Sequence, residues 1–294
     1  SSESWKSSNK QVNTDMSPMI LEETLEHLYG KYNRREFVHP DPLEFLYDCN
    51  NLRDREIVGL LASSLAYGRV SQIIKSVSFV LERMIPSPFH FLEKASMESL
   101  SRTFYGFKHR FTTADELAEL LFGIKNVIKR HGSLYACFKT AFGNDSDTVI
   151  PALTAFVKEL NAGFNNQNNS LLPSPANGSA CKRLNLFLRW MVRQDEVDPG
   201  GWKDISPSQL VVPLDTHLHR ICLALGLTNR KQADMKTATE ITRSFRIIVP
   251  HDPVRYDFSL TRLGIRRDAD MMSFLNEYDT KTVAQHNGRS VYEA

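Results

Sequence analysis

Apolar residues recur every three to four positions along most of the chain, the spacing that gathers them on one face of a helix. Ile20, Leu21, Leu25, Leu28 and Tyr29 share one such face, Ile57, Leu60, Leu61 and Leu65 a second, and Val70, Ile73, Ile74, Val77 and Leu81 a third. The same period runs through 117–128, 149–160, 184–192 and 241–248. Alternation at the strand period is scarce, so the pattern predicts an all-α protein with at most occasional short strands. Residues 17–274 read as the helical region, between a polar tail at 1–16 and a C-terminal tail at 275–294. A polar, turn-rich connector near 162–179 interrupts the pattern, carrying Asn165-Asn166-Gln167-Asn168-Asn169 and Pro173-Ser174-Pro175. A second irregular stretch, Asp195 to Trp202, separates two of the helical runs.

One helix start carries chemistry as well as geometry. Pro213 and the residues before it resist the helical conformation, while Leu218, Ile221, Cys222 and Leu225 recur at helical spacing, so Asp215 falls where an N-cap belongs. A cap is the structural reading of that carboxylate; a catalytic acid is the functional one. His217 and His219 follow it, but positions two apart on a helix diverge by roughly 200°, so they do not share a metal.

Composition narrows the classes. The 294 residues are 41% hydrophobic, enough for a sizeable core in one or two closely packed domains. Cys49, Cys137, Cys181 and Cys222 are far apart and form no Cys-x-x-Cys pair, which argues against a zinc site, a disulfide framework or an iron–sulfur cluster. No run approaches the apolar length of a membrane span, so an intracellular protein, cytoplasmic or nucleoid-associated, is expected. Lys and Arg number 36 against 34 acidic residues, a formal charge of +2, too small to serve as a basic footprint. Local cations, Lys108-His109-Arg110, Lys125, Lys129-Arg130, Arg189, Arg193, Arg243, Arg246 and Arg266-Arg267, are scattered over several expected helices as candidate phosphate contacts.

Pro213-Leu214-Asp215-Thr216-His217-Leu218-His219-Arg220 resembles the Pro-Val-Asp-Thr-His-Val-x-Arg signature of the helix-hairpin-helix DNA glycosylase superfamily. Three further segments follow in that family's order. Leu60 to Val70 is similar to the segment that supplies a wedge into the base stack, with Tyr67 and Arg69 in its loop. Lys182, 33 positions before Asp215, stands where bifunctional members carry a lysine, and the long interval is most similar to the archaeal 8-oxoguanine glycosylase branch. His251 to Gly264 resembles the late helix that lines the base pocket in that branch, with Asp257 on the position of a pocket aspartate. The hairpin departs from the family's Leu-Pro-Gly-apolar-Gly-x-Lys: Leu172-Pro173-Ser174-Pro175-Ala176-Asn177-Gly178 lacks the paired glycines that let backbone N–H groups approach a phosphate. Arg183, next to Lys182, competes for the cleft-facing position, and an arginine cannot supply a neutral amine.

The resemblance implies two closely packed helical subdomains flanking a cleft, in a monomer that acts on damaged double-stranded DNA without cofactor or metal. It implies a base-excision glycosylase with an associated AP-lyase step, releasing an oxidised purine such as 8-oxoguanine through a Schiff base on Lys182 assisted by Asp215. Tyr67 and Arg69 are the wedge candidates, Asp257 the base reader, Trp190 a stacking platform or core residue, and His217 a neighbour of the DNA backbone. Two alternatives stand beside it: a non-catalytic DNA-binding protein of the same fold, and a metal-dependent phosphohydrolase using His251-Asp252 with His217 or Asp215.

Overall fold

The structure is a computed structural model that describes residues 18–143, 146–164, 169–265, 271–278 and 280. The tail at 1–16, Asn165 to Asn168 of the connector, Arg266-Arg267 and all of 281–294 lie outside the described residues. The chain is all-α, as the hydrophobic period predicts. Its helices are α1 (Pro18–Tyr32), α2 (Leu52–Ser64), α3 (Val70–Leu81), α4 (Pro88–Lys94), α5 (Met97–Thr103), α6 (Ala114–His131), α7 (Leu134–Ala141), α8 (Ile150–Leu160), α9 (Lys182–Val192), α10 (Thr216–Ala224), α11 (Met235–Ile248) and α12 (Asp257–Ile265). Between α5 and α6, β1 (Lys108–His109) and β2 (Thr112–Thr113) form a minimal antiparallel hairpin with Lys108 opposite Thr113 and His109 opposite Thr112.

Local chemistry sets the helix ends. Thr113 and Glu116 form a reciprocal capping box at the start of α6, and Lys129, Arg130 and His131 occupy its last turn, where cations meet the negative end of the helix dipole. Asp234 caps α11 by accepting from Thr237 N–H. The short helices α4, α5 and α7 escape the periodicity reading because each has only seven or eight residues, about two turns, too few to display a repeat.

One hydrophobic cluster runs through the molecule from Ile20 to Tyr278. Helices α5 to α8 pack on one another in sequence, with α2 against α4 and α7; α1 packs on α11 and α12, and α10 on α12. Gly123 lets α6 and α8 approach closely, since a Cβ there would lie 2.2 Å from the Leu160 carbonyl oxygen. Helix α9 lies at the junction. Leu184, Phe187, Leu188 and Met191 are buried on its apolar side, which packs against α2, while Arg189 pairs with Asp257 at the first position of α12. Trp190 is fully buried. No helix among the described residues is long and apolar enough to cross a membrane.

Candidate active site

The two residues that the sequence pairs across 33 positions meet in space. Lys182 Nζ lies 3.1 Å from Asp215 Oδ2, with the two side chains 35% and 28% exposed. Lys182 is the first residue of α9, which follows Cys181 in a left-handed conformation (φ 47°). The segment before it forms a single 3-10 turn, Pro175–Asn177, with Ser174 accepting from Ala176 N–H at its start and Gly178 at φ 75° at its end. That turn is tied to the start of α11, because Gly178 O accepts from Met235 N–H at 3.1 Å and Ser179 bridges Asp234.

Asp215 ends an extended segment and caps α10. Its Oδ1 accepts from His217 N–H at 2.9 Å and Leu218 N–H at 2.8 Å, leaving Oδ2 to face Lys182. Cap and reactive carboxylate are therefore the same residue used through different oxygens, and the structural reading does not displace the chemical one. Burial pushes the Asp215 carboxyl up, but the Lys182 ammonium, the Leu218 N–H and the His217 ring outweigh it and hold the group below the usual carboxylate range. Burial pushes the His217 imidazole down; Asp215 opposes that shift, while Arg220 and Lys182 add to it. The His217 Nε2 atom is buried without a hydrogen-bond partner among the described residues. His219 turns the other way, with Nε2 2.8 Å from the Arg230 carbonyl.

Arg183 leaves the reactive side to Lys182. Its guanidinium donates to the carbonyls of Ser64 and Ser170 and sits 4.9 Å from the centre of the Tyr67 ring. Tyr67 is half-buried and held in place: its hydroxyl donates to His109 O at 2.8 Å and lies 2.7 Å from Thr112 Oγ1. Arg69 is exposed at the start of α3. Trp190 has no accessible face on which a base could stack. Its position in the core follows from the helix period, which puts it beside Phe187 and Met191.

Asp257 is buried and engaged. Its Oδ2 accepts from Arg189, while Oδ1 is buried without a partner among the described residues. Arg189 also reaches Asp198 at 3.0 and 3.2 Å, and Arg193 binds Asp198, Asp195 at 2.9 Å and Asp252 at 3.0 and 3.1 Å. Here two guanidinium groups serve four carboxylates in the interior. Burial pushes the Asp198 and Asp257 carboxyls up, against the pull of the arginines.

The cluster is what the sequence reading missed. Asp195 to Trp202 looks like an irregular connector, and Arg189 and Arg193 look like surface cations, yet all the charges named are drawn inward. A signal was present: Lys182, Arg189 and Arg193 are spaced i, i+7, i+11, on one helix face. Burial and carboxylate pairing take Arg189 and Arg193 out of reach of phosphate. Other candidate phosphate contacts are also engaged: Lys125 by the carbonyls of Glu93 and Ala95, Arg130 by Glu159 and Arg246 by the Ser208 carbonyl.

The residues of the metal reading stand in different settings. Asp252 is held by Arg193, Asp215 by Lys182, and His251 is exposed. Among the described residues no group of three or more His, Cys, Asp and Glu side chains is arranged to hold a metal ion. Cavities of about 830 and 390 Å³ lie elsewhere, the first lined by Ser146, Thr148, Ser208, Arg243 and Arg246, the second by Arg53, Phe89, Leu92 and Lys125. The Lys182–Asp215 pair lies outside both.

A family profile described as a protein of unknown function, DUF2400, matches residues 41–266, so the chain belongs to that family. The matched span contains Tyr67, Lys182, Asp215 and Asp257. No curated protein and no solved structure matches the chain.

Proposed function

We propose that the chain is a DNA base-excision glycosylase with an associated lyase step, built on a helix-hairpin-helix glycosylase-like arrangement, and that it releases an oxidised purine such as 8-oxoguanine. One observation carries this reading: an amine and a helix-capping carboxylate, 33 residues apart in sequence, lie 3.1 Å apart at a partly open site. An amine beside an acceptor is the minimum equipment for imine chemistry at a sugar carbon. The one-turn hairpin before Lys182 supports the same assignment of parts, since it delivers that lysine to the first position of its helix.

In the proposed reaction, Lys182 passes a proton to Asp215 Oδ2 and its freed lone pair attacks the anomeric carbon. The bond from that carbon to the purine nitrogen breaks, its electron pair leaves with the base, and the proton held by Asp215 is relayed to the departing purine. The new C–N bond then opens the sugar ring, with the ring oxygen taking a proton from the amine, to give an imine. Asp215, ionised again once the purine has taken its proton, accepts a proton from the adjacent sugar carbon, and the electron pair of that C–H bond expels the 3′ phosphate. Between the two proton transfers its carboxylate supplies the negative charge that the electron-poor sugar needs.

The test is a panel of duplexes each bearing one damaged base, incubated with the protein and borohydride, which reduces an imine to a stable covalent adduct. We expect an adduct with an oxidised-purine duplex that disappears in Lys182→Ala and survives in Arg183→Ala. Asp215→Asn keeps the cap, because asparagine caps as well as aspartate, and is expected to reduce base release by at least about 100-fold. Loss of the adduct in Arg183→Ala alone, or near-normal excision by Asp215→Asn, overturns the mechanism. Tight binding to an abasic duplex without any adduct points instead to a DNA-binding protein of this fold, a reading that the missing glycine pair in the hairpin favours.

A further inference from the structure

The Lys108–Thr113 hairpin offers an aromatic side chain to solvent in a setting that its packing does not explain. Phe111 is 78% exposed at the tip, next to Arg110, whose guanidinium lies 5.3 Å from the Phe111 ring centre and 6.0 Å from that of Tyr67. Arg110 holds a positive φ of 52°, which side-chain-bearing residues adopt rarely. Alternate positions are anchored: His109 and Thr112 are buried, while Lys108, Arg110, Phe111 and Thr113 face outward. His109 Nδ1 lies 2.8 Å from Ser76 Oγ and its Nε2 3.1 Å from the Tyr67 carbonyl, and Tyr67 closes the hairpin from the other side. Gly68, at φ 97°, permits this closeness, since a Cβ there would fall 2.6 Å from Arg110 Cδ. A clamped base thus carries an exposed ring beside the Arg110 guanidinium, with Lys108 exposed on the same hairpin.

The hairpin connects by side-chain contacts to Arg183, the chain neighbour of Lys182. Arg183, the residue after Lys182, spans from the Ser64 carbonyl to the Tyr67 ring, and Tyr67 contacts His109. We propose that Phe111 is the group that inserts into the DNA base stack where a nucleotide has been extruded, with Lys108 and Arg110 holding the flanking phosphates; this rests on the glycosylase reading above. An aromatic ring with two side-chain torsions on a clamped hairpin loses little freedom on insertion and gains a stacking partner on each face. Tyr67, whose hydroxyl and ring are already engaged, supports the hairpin rather than entering the duplex.

The test needs no chemistry on the base. A duplex with a tetrahydrofuran abasic analogue and 2-aminopurine as its neighbour brightens when the stack at the gap is disturbed. We expect the wild-type protein to bind it and raise its emission, Phe111→Ala to lose the rise and bind about 5- to 150-fold more weakly, and Phe111→Trp to retain both. Met19→Ala, which removes an exposed apolar side chain on α1, is expected to behave as wild type. Thermal melting of Phe111→Ala should match wild type, since the ring is exposed, so a loss is not one of folding. Phe111→Ala equal to wild type in emission and affinity overturns the wedge and leaves the imine experiment to judge the enzyme. A wild-type protein that perturbs the gap yet never forms an imine retains the wedge and loses the glycosylase.

Discussion

Helix α9 carries cations at both ends of one face, and the two ends live in different worlds. At its start Lys182 meets Asp215 in an ion pair about a third exposed. Two to three turns on, Arg189 and Arg193 are 3% and 4% exposed and share Asp195, Asp198, Asp252 and Asp257. An exposed pair contributes little to stability, on the order of 0–1 kcal/mol, because water and salt screen it. A buried network repays the desolvation of its ions only while every partner is in place. The open end is thus accessible to solvent, and the closed end ties α9 to α12 and the 195–202 segment.

The largest effect expected from this contrast is at Asp198, which is fully buried and receives both arginines. Asp198→Ala leaves two guanidinium groups short of a partner and should cost about 3–5 kcal/mol in urea unfolding; a loss under about 1 kcal/mol would erase the distinction between the two ends.

Glu56 sharpens it, as a buried carboxylate with no arginine. It accepts from Trp202 Nε1 at 3.0 Å and Leu134 N–H at 2.9 Å, and burial, opposed by those bonds, pushes its carboxyl up to about 7. A raised carboxyl in the folded state means that the unfolded chain ionises first. Stability from this group is therefore present below the unfolded carboxylate value and falls as pH rises toward 7, by up to about 3 kcal/mol. Glu56→Gln should flatten that slope in denaturation curves taken between pH 4.5 and 7, and an unchanged slope would show that Glu56 is ionised throughout.

The smallest effects belong to the open end. Asp215→Ala loses the cap of α10 and should cost about 1 kcal/mol, while Asp215→Asn keeps it and costs less. Because Lys182 and the α10 N–H groups hold the Asp215 carboxyl below its usual range, the pair's contribution is present above the unfolded carboxylate value and is lost as pH falls through the folded one. Wild-type and Asp215→Asn stabilities should accordingly converge in acid, and a gap that widens there would reverse the sign of this assignment.

The long helices and the cap at Asp215 were legible in the primary chain, because each depends on local conformation; the Lys182–Asp215 partnership came only through a resemblance in motif. Periodicity needs only a consistent set of apolar positions, and a cap needs only its own four residues. The sequence left open whether Lys182 or Arg183 turns toward Asp215; packing decided it, since Arg183 finds the Ser64 and Ser170 carbonyls that helix α2 and the connector bring to it. Packing likewise drew Arg189, Arg193 and Asp198 of an apparent linker inside, buried Trp190, and left Phe111 outside on a hairpin too short to show an alternating pattern. Residues up to 68 positions apart satisfy those charges, and a charge declares itself buried or exposed only when distant partners arrive to replace its water.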